Sequence, residues 1–157
     1  MINLKLIYKI IGSLLFIEAM MLLVCLGVSV YYHEDDLLAF VCSIAISAGT
    51  ALVLRLFARN CDNNLSRRDA YLVVTLTWVV FSLFGTLPFL IGGYLHSFTD
   101  AFFETMSGFT TTGASIIDDV DALPHGILFW RSFTQWIGGL GIVFFTIALL
   151  PSLVGGS

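Results

Sequence analysis

Long apolar runs constrain this chain more than any other feature of its sequence. About 20 helical residues cross a hydrocarbon core of roughly 30 Å, so an apolar run of about 18 or more residues is a candidate transmembrane helix. Four runs qualify: residues 10–32, the stretch between Asp36 and Arg55, residues 70–95 and residues 126–150. The sequence therefore predicts an all-α integral membrane protein with four transmembrane helices. Pro88 is expected to kink the third helix, and Pro151 predicts the end of the fourth.

The overall composition supports this prediction and excludes other classes of protein. Of the 157 residues, 58% are hydrophobic and 11% are charged, and the mean hydropathy is +0.95. A soluble domain carries roughly 25% charged residues, and at this size it could not bury so much apolar surface. A disordered segment would have the reverse composition. The chain also has no long basic run of the kind that binds nucleic acid.

The residue types that carry catalysis or bind metals form no recognisable pattern. Cys25 and Cys42 lie in apolar runs and Cys61 lies in a short polar loop, without a CxxC pair. The histidines are far apart in the sequence and lack metal-ligand spacing. No nucleophile, phosphate-loop or metalloprotease motif occurs. We therefore expect no enzymatic activity and no cofactor.

The basic residues are sorted to one side of the predicted helices. Six of the seven lie before the first run or around the link between the second and third: Lys5, Lys9, Arg55, Arg59, Arg67 and Arg68. Because cytoplasmic loops are enriched in lysine and arginine, we expect both termini to lie in the cytoplasm. The first run exceeds the roughly 7–15 residues of a signal-peptide core, so we expect it to be retained.

The segment between the third and fourth runs, residues 96–125, is too apolar in its first half for a plain hydrated loop. Ser97 and Asp100 match the capping-box pattern of a helix start, and Gly108 favours a left-handed helix end. Together they predict a short helix over about residues 99–108. Its length of roughly 13 Å is less than half a membrane. We therefore expect a re-entrant half-helix rather than a span.

A Thr/Gly-rich stretch with the sequence FTTTGAS follows the half-helix at residues 109–115. A potassium site needs backbone carbonyls that replace the water shell of the ion. Glycine permits the unusual dihedral angles of such a loop, and the half-helix would direct the negative end of its dipole toward the cavity. No carboxylate lies within the stretch, which argues against a divalent-cation filter. Short Thr/Gly/Ser runs also form ordinary turns, so the pattern alone leaves both interpretations open.

Two segments together carry a resemblance to a known family: FFETMSGFTTTGASI and WRSFTQWIGGLGIVFF. The chain resembles the first pore module of the Trk/Ktr/HKT potassium transporters, in particular that of the bacterial TrkH branch. The resemblance covers essentially the whole chain. It implies an N-terminal pair of transmembrane helices over residues 1–60 and a membrane–pore–membrane module over residues 61–157. It also implies a selectivity filter that offers oxygens from Thr110, Thr111, Thr112 and Gly113, with the potassium ion at Thr111 and Thr112 and Ala114 at the outer edge.

The function implied by the resemblance is uptake of potassium, or another monovalent cation, across the bacterial inner membrane. Members of this family have four such modules around one pore, whereas this sequence holds one. We therefore expect a piece of a longer transporter, completed by further modules. Two alternatives stay open: a self-assembling homotetrameric potassium channel, or a non-conducting membrane scaffold whose Thr-Gly loop is a buried turn. The resemblance also implies a cytosolic nucleotide-binding regulatory subunit.

Two charged side chains lie inside the predicted spans. Glu18 is in the middle of the first, where a carboxylate costs about 2.5–3.5 kcal/mol on insertion scales. It is either a functional group or a neutral, hydrogen-bonded one between helices. Arg131 lies at the outer end of the fourth and is expected to pair with one of the acidic residues Glu104, Asp118, Asp119 and Asp121.

Two further features complete the predicted pore module. Asp119 and its acidic neighbours would attract cations weakly at the outer mouth, because salt screens charges beyond about 8 Å. Gly138, Gly139 and Gly141 would permit close helix packing.

Overall fold

The structure, a computed structural model, describes residues 3–60 and 66–154. Six α-helices follow one another in these two ranges: α1 Leu4–Tyr32, α2 Leu37–Phe57, α3 Arg67–Gly85, α4 Leu87–Ile91, α5 Phe98–Phe109 and α6 His125–Val154. No strand occurs among the described residues, so the all-α prediction is confirmed. Cys61, predicted to lie in a polar loop, falls outside them.

Three segments of the described chain are long and apolar enough to cross a membrane: Leu4–Tyr32, Leu37–Phe57 and Arg67–Ile91, which combines α3 and α4. Their outer surfaces carry large exposed apolar side chains, such as Met20, Leu38 and Phe57. A continuous apolar surface of this kind suits lipid and not water. The fourth predicted run forms α6, whose 30 residues extend over about 45 Å. The chain is therefore an all-helical, multi-pass membrane protein.

The first two helices form an antiparallel hairpin. His33, which follows α1, adopts the left-handed conformation with φ of 54°, and its amide donates to the carbonyl of Ser29. Near the start of α1, Gly12 allows a close approach, because a Cβ there would lie 3.0 Å from the carbonyl oxygen of Ala51. At the other end, the hydroxyl of Ser29 donates to the carboxylate of Asp36. These contacts fix the register of the two helices.

The third span is broken where proline predicts a kink. α3 ends at Gly85, and α4 begins at Leu87 with Pro88 in its first turn. A proline is tolerated there because the amide of a first-turn residue has no acceptor within the helix. The α3 helix itself begins with a capping box, in which Ser66 and Asp69 bond each other's backbone amides.

The predicted end of the fourth span is wrong. α6 continues past Pro151 to Val154. A proline removes one helical hydrogen bond and strains the preceding turn, and membrane helices tolerate this by local adjustment of the backbone. Pro151 lies in the last turn of α6, where few hydrogen bonds remain to be lost.

Candidate functional site

The short helix predicted between the spans is α5. It runs from Phe98 to Phe109, one residue longer at each end than predicted, and is about 18 Å long. Ser97 precedes it at the predicted N-cap position, but its side chain makes no capping hydrogen bond. The predicted capping box at Ser97 and Asp100 is therefore not formed. Asp100 still lies in the first turn, where a negative charge is favourable to the helix dipole.

The predicted left-handed end at Gly108 is wrong. Gly108 lies within α5, and a Cβ at this position would collide with the hydroxyl of Thr134 on α6. The glycine thus serves the packing of α5 against α6. The left-handed residues come later, at Thr111 with φ of 58° and at Gly113 with φ of 76°. A β-branched residue rarely adopts this conformation, which marks the loop as held by its surroundings.

The chain reverses direction after α5 through a compact, hydrogen-bonded turn. The amide of Thr111 donates to the carbonyl of Gly108 at 3.0 Å, and the amide of Thr112 donates to that of Ser107 at 3.0 Å. The hydroxyl of Thr110 donates to the carbonyl of Met106 at 2.7 Å, and that of Thr111 to the carbonyl of Thr110 at 2.7 Å. The hydroxyl of Thr112 lies 2.8 Å from that of Thr110. All three threonine hydroxyls are therefore engaged within the turn, which leaves backbone carbonyls as its outward oxygens.

After the turn the chain runs back along α5 and is fastened to it twice. The hydroxyl of Ser107 donates to the carbonyl of Ala114 at 2.6 Å. One turn earlier, the carboxylate of Glu104 accepts the hydroxyl of Ser115 at 3.0 and 3.1 Å and the amide of Ile116 at 3.0 Å. The loop is thus held against the helix that precedes it.

An ion pair joins this arrangement to α6. Arg131 Nε lies 2.6 Å from Glu104 Oε1, with the Glu104 side chain 2% exposed and that of Arg131 19%. Of the four acidic partners expected for Arg131, the structure selects Glu104. Asp119 is exposed and forms no hydrogen bond or ion pair with the described part of the chain. Glu104 therefore connects α5, the returning chain and α6 in one network.

Three consecutive backbone carbonyls of the turn remain available to bind a ligand. Within residues 3–60 and 66–154, no donor bonds to the carbonyl oxygens of Thr111, Thr112 or Gly113. These residues, together with Ala114, are exposed. The exposure of the loop does not favour the alternative of a buried turn. Carbonyl oxygens that project from a fastened backbone are the ligand type that a large monovalent cation requires.

A cluster of packed aromatic side chains supports the C-terminal end of α5. Trp130 on α6 is fully buried, and its indole Nε1 donates to the carbonyl of Gly85 at 3.1 Å. The ring of Phe109 meets that of Trp130 edge-on, with centroids 6.2 Å apart, and that of Phe81 at 5.5 Å. By sequence alone, Trp130 is most simply an interfacial or packing aromatic. Its hydrogen bond across to α3 was not predicted, because no spacing in the sequence indicates which carbonyl is left free.

Comparison with known proteins gives a family match that includes this part of the chain. Residues 37–157 match the model of a family described as "TrkH: Cation transport protein". The chain belongs to this TrkH family. The TrkH potassium uptake protein of Halomonas elongata is 40% identical over 156 residues, which are 98% of this chain and 32% of that protein. The corresponding protein of Escherichia coli K12 is 36% identical over 152 residues, which are 96% of this chain and 32% of that protein.

A solved structure of the family has the same fold. The crystal structure of the potassium transporter TrkH from Vibrio parahaemolyticus matches 94% of this chain with a TM-score of 0.89 and 38% sequence identity. The match covers 32% of that transporter chain. The chain thus spans about a third of the length of these TrkH relatives.

Proposed function

We propose that this chain supplies one pore module of a potassium transporter, and that the carbonyls of Thr111, Thr112 and Gly113 are ligands of the ion. The observation that carries the proposal is a set of three exposed residues, on a loop that α5 holds in place, whose carbonyls have no donor in the described part of the chain. Thr110 and Ala114 complete the filter segment at its two ends. Their carbonyls already accept hydrogen bonds from Thr111 and Ser107, so they position the loop more than they bind the ion.

The electrostatics of the module favour a cation at this loop. The C-terminal end of a helix carries about half a negative charge, and α5 directs that end at the turn. Arg131, the positive charge of the network that holds the loop, is neutralised by Glu104. The relatives that match the chain are named as potassium uptake proteins, which supports potassium as the ion. Selection by carbonyl oxygens involves no covalent chemistry and needs no cofactor.

The chain divides into two functional parts in this proposal. Residues 1–60 form a supporting hairpin, and residues 61–157 form the membrane–pore–membrane module. α5 is too short to cross a hydrocarbon core of roughly 30 Å, and the chain returns along it. These two features favour a re-entrant half-helix between the spans formed by α3–α4 and α6. The outer carboxylates, including Asp119, would lie at the mouth of the pore.

One module leaves its carbonyls open on one side and cannot enclose an ion. The TrkH relatives are about three times as long as this chain, which favours completion by the remaining modules of the same transporter over assembly of further copies. The sorting of basic residues favours a bacterial inner-membrane protein with both termini in the cytoplasm. A cytosolic nucleotide-binding regulatory subunit would then dock on the cytoplasmic face, where Arg55 and Arg59 and the start of α3 at Arg67 lie.

The experiment is rubidium and sodium uptake in bacteria that lack their own potassium uptake systems. The chain replaces the 156 matching residues of the Halomonas elongata TrkH protein, and it is also expressed alone. In the chimera, Gly113→Ser is expected to lower the preference for rubidium over sodium. Gly93→Ser is the matched control, because Gly93 has a similar φ of 72° and equally open space but lies before α5.

Each outcome decides between the stated functions. An inserted, active chimera in which Gly113→Ser and Gly93→Ser have the same selectivity would refute the filter. Uptake by the chain expressed alone would show that copies of it assemble into a pore. A chain that is inactive alone but supports selective uptake in the chimera would confirm that it supplies one module among several.

A further inference from the structure

Two polar side chains away from the filter are buried without a partner. Glu18 on α1 is 0% exposed, and neither of its carboxylate oxygens has a hydrogen-bond partner among residues 3–60 and 66–154. Ser47 on α2 is also fully buried, and its hydroxyl has no partner within the same ranges. Buried polar groups in native proteins nearly always bond to protein or to ordered water. Unpartnered buried groups of this kind therefore point to a ligand.

The register of the hairpin places the two side chains at the same level of the membrane. Gly12 lies against Ala51 near the cytoplasmic end proposed above, and Ser29 bonds to Asp36 at the opposite end. Between these two contacts, the antiparallel arrangement places Glu18 and Ser47 at the same level of α1 and α2. The neighbouring Ser43 does not compete for this position, because its hydroxyl donates to a carbonyl of its own helix at 2.6 Å.

A third wall of the site comes from α3. Glu18 Oε1 lies 3.4 Å from the position that a Cβ on Gly85 would occupy. The same position is crowded by the side-chain methyl group of Thr105 on α5. Gly85 thus leaves room for the carboxyl group at the place where α3 contacts the short helix. Because Thr105 belongs to α5, the site lies next to the helix that precedes the filter loop.

No cation faces Glu18 from the helices around it. α2 is uncharged from Leu37 to Leu54, and α3 is uncharged from Ala70 to Gly85. Arg55, in the last turn of α2, lies over the ring of Phe16 on α1, 5.6 Å from its centroid, and makes no hydrogen bond to Glu18. On α6, Arg131 is paired with Glu104 and His125 with Glu34. Other titratable and charged groups on the packed helices include Cys25 on α1, Cys42 on α2, Arg131 on α6, and Asp100 and Glu104 on α5. None of them supplies a positive charge that would hold an ionised Glu18.

We propose that Glu18 and Ser47 form a buried proton-binding site. Glu18 carries the proton as a carboxylic acid and donates it in a hydrogen bond to a bound water molecule, which Ser47 also holds. A proton is the ligand that fits, because a metal cation would need several more oxygen ligands than these two side chains provide. The site is independent of potassium binding at the loop and stands whether or not that function is correct.

Infrared spectroscopy of the full chain in lipid nanodiscs tests the proposal. The glutamates of the chain are Glu18, Glu34 and Glu104, and the latter two have polar partners in His125 and Arg131. With glutamate labelled by carbon-13 at the side-chain carboxyl, wild-type protein at neutral pH is expected to show a labelled band of a protonated acid. The band should shift in heavy water. This measurement requires no substitution and so does not depend on the folding of a variant.

Substitutions then assign the band and its partner. Glu18→Gln preserves the shape of the side chain and is expected to remove the band, whereas the matched control Glu34→Gln leaves it unchanged. Ser47→Ala is expected to keep the band but move it to higher frequency, because the acid loses part of its hydrogen bonding.

The opposite results would overturn the site. Labelled glutamate that shows only ionised carboxylate bands at neutral pH would contradict a bound proton. If Glu18→Gln removed a carboxylate band that also shifted between sodium and choline buffers, the ligand would be a metal cation instead. A band whose frequency Ser47→Ala leaves unchanged would remove Ser47 and the shared water from the site.

Discussion

Gly138 on α6 lies directly against the backbone of Phe109, the last residue of α5, so closely that a Cβ at residue 138 would overlap the Phe109 carbonyl group. The contact lies at the point where the chain leaves the short helix and enters the filter loop. Small residues in membrane helices commonly serve such backbone approaches. Here the approach sets the distance between α6 and the start of the loop.

Replacing Gly138 by alanine is therefore expected to destabilise the protein by about 1–3 kcal/mol, the usual cost of overpacking. The backbone of Phe109 cannot move aside as a flexible side chain would. Gly139→Ala is the matched control, because its Cβ would lie at an ordinary distance of 3.8 Å from the nearest atom of Thr111. Unfolding in mixed detergent micelles, followed by tryptophan fluorescence, measures the difference. Equal stability of the two variants would contradict the close contact.

The ion pair between Glu104 and Arg131 predicts a second, larger effect. Removal of Arg131 by substitution with glutamine leaves the carboxylate of Glu104 buried without its cation, which costs about 3–5 kcal/mol in such pairs. The double variant with Glu104→Gln is expected to lose less than the sum of the single variants, because the unpaired charge is then gone. The free energy of unfolding of all four proteins tests this. Additive losses would show that the two side chains act separately.

The sequence predicted those parts of the fold that depend on local pattern. The apolar runs located the membrane helices, Pro88 located the break in the third, and Ser97 located the start of α5. The end of α5 was not predictable in this way. Gly108 is equally suited to a left-handed cap and to close packing, and only the position of Thr134 on another helix decides between them.

The contacts within the candidate site also could not be predicted from the local sequence pattern. Arg131 had four possible acidic partners in the sequence, and tertiary structure selected Glu104. That α5 holds the returning chain through Ser107 and Glu104 could not be read from spacing, since both bonds depend on how sharply the loop turns. For Glu18 the sequence left open a functional group or a hydrogen-bonded one. The structure shows it buried and without a partner in the described ranges.

The left-handed conformation of Gly113 predicts opposite effects for two glycine-to-alanine substitutions. Neither Gly113 nor Gly49 has an atom within 4 Å of the position of a new Cβ, so packing does not distinguish them. Gly113 has φ of 76°, where an L-residue costs about 1–2 kcal/mol. Gly49 lies within α2, where alanine is favoured over glycine by about 0.5–1 kcal/mol. Unfolding measurements should therefore show Gly113→Ala destabilised and Gly49→Ala stabilised. A stabilising Gly113→Ala would contradict the loop conformation.

The contact between Glu34 and His125 predicts how stability depends on pH. Glu34 follows α1 in the outer loop, and its carboxylate accepts the amide of His125 at 2.7 Å and contacts the ring Nδ1 at 2.8 Å. Burial raises the pKa of Glu34, but the hydrogen bonds from His125 outweigh it and lower the pKa below the ordinary value of 4.5. The ionised form is thus favoured by folding, which joins the α1–α2 hairpin to the start of α6.

A lowered pKa in the folded state stabilises the protein above the pKa of the unfolded state, and that stabilisation is lost as the pH falls through the folded value. The unfolding midpoint of the wild type is therefore expected to fall below about pH 4.5 more steeply than that of Glu34→Gln, which has no proton to bind at this position. Tyr32 stacks on His125 with ring centroids 3.9 Å apart and remains in place in both proteins, so the comparison isolates the carboxylate. Parallel pH profiles for the two proteins would show that the contact contributes nothing to the attachment of α6.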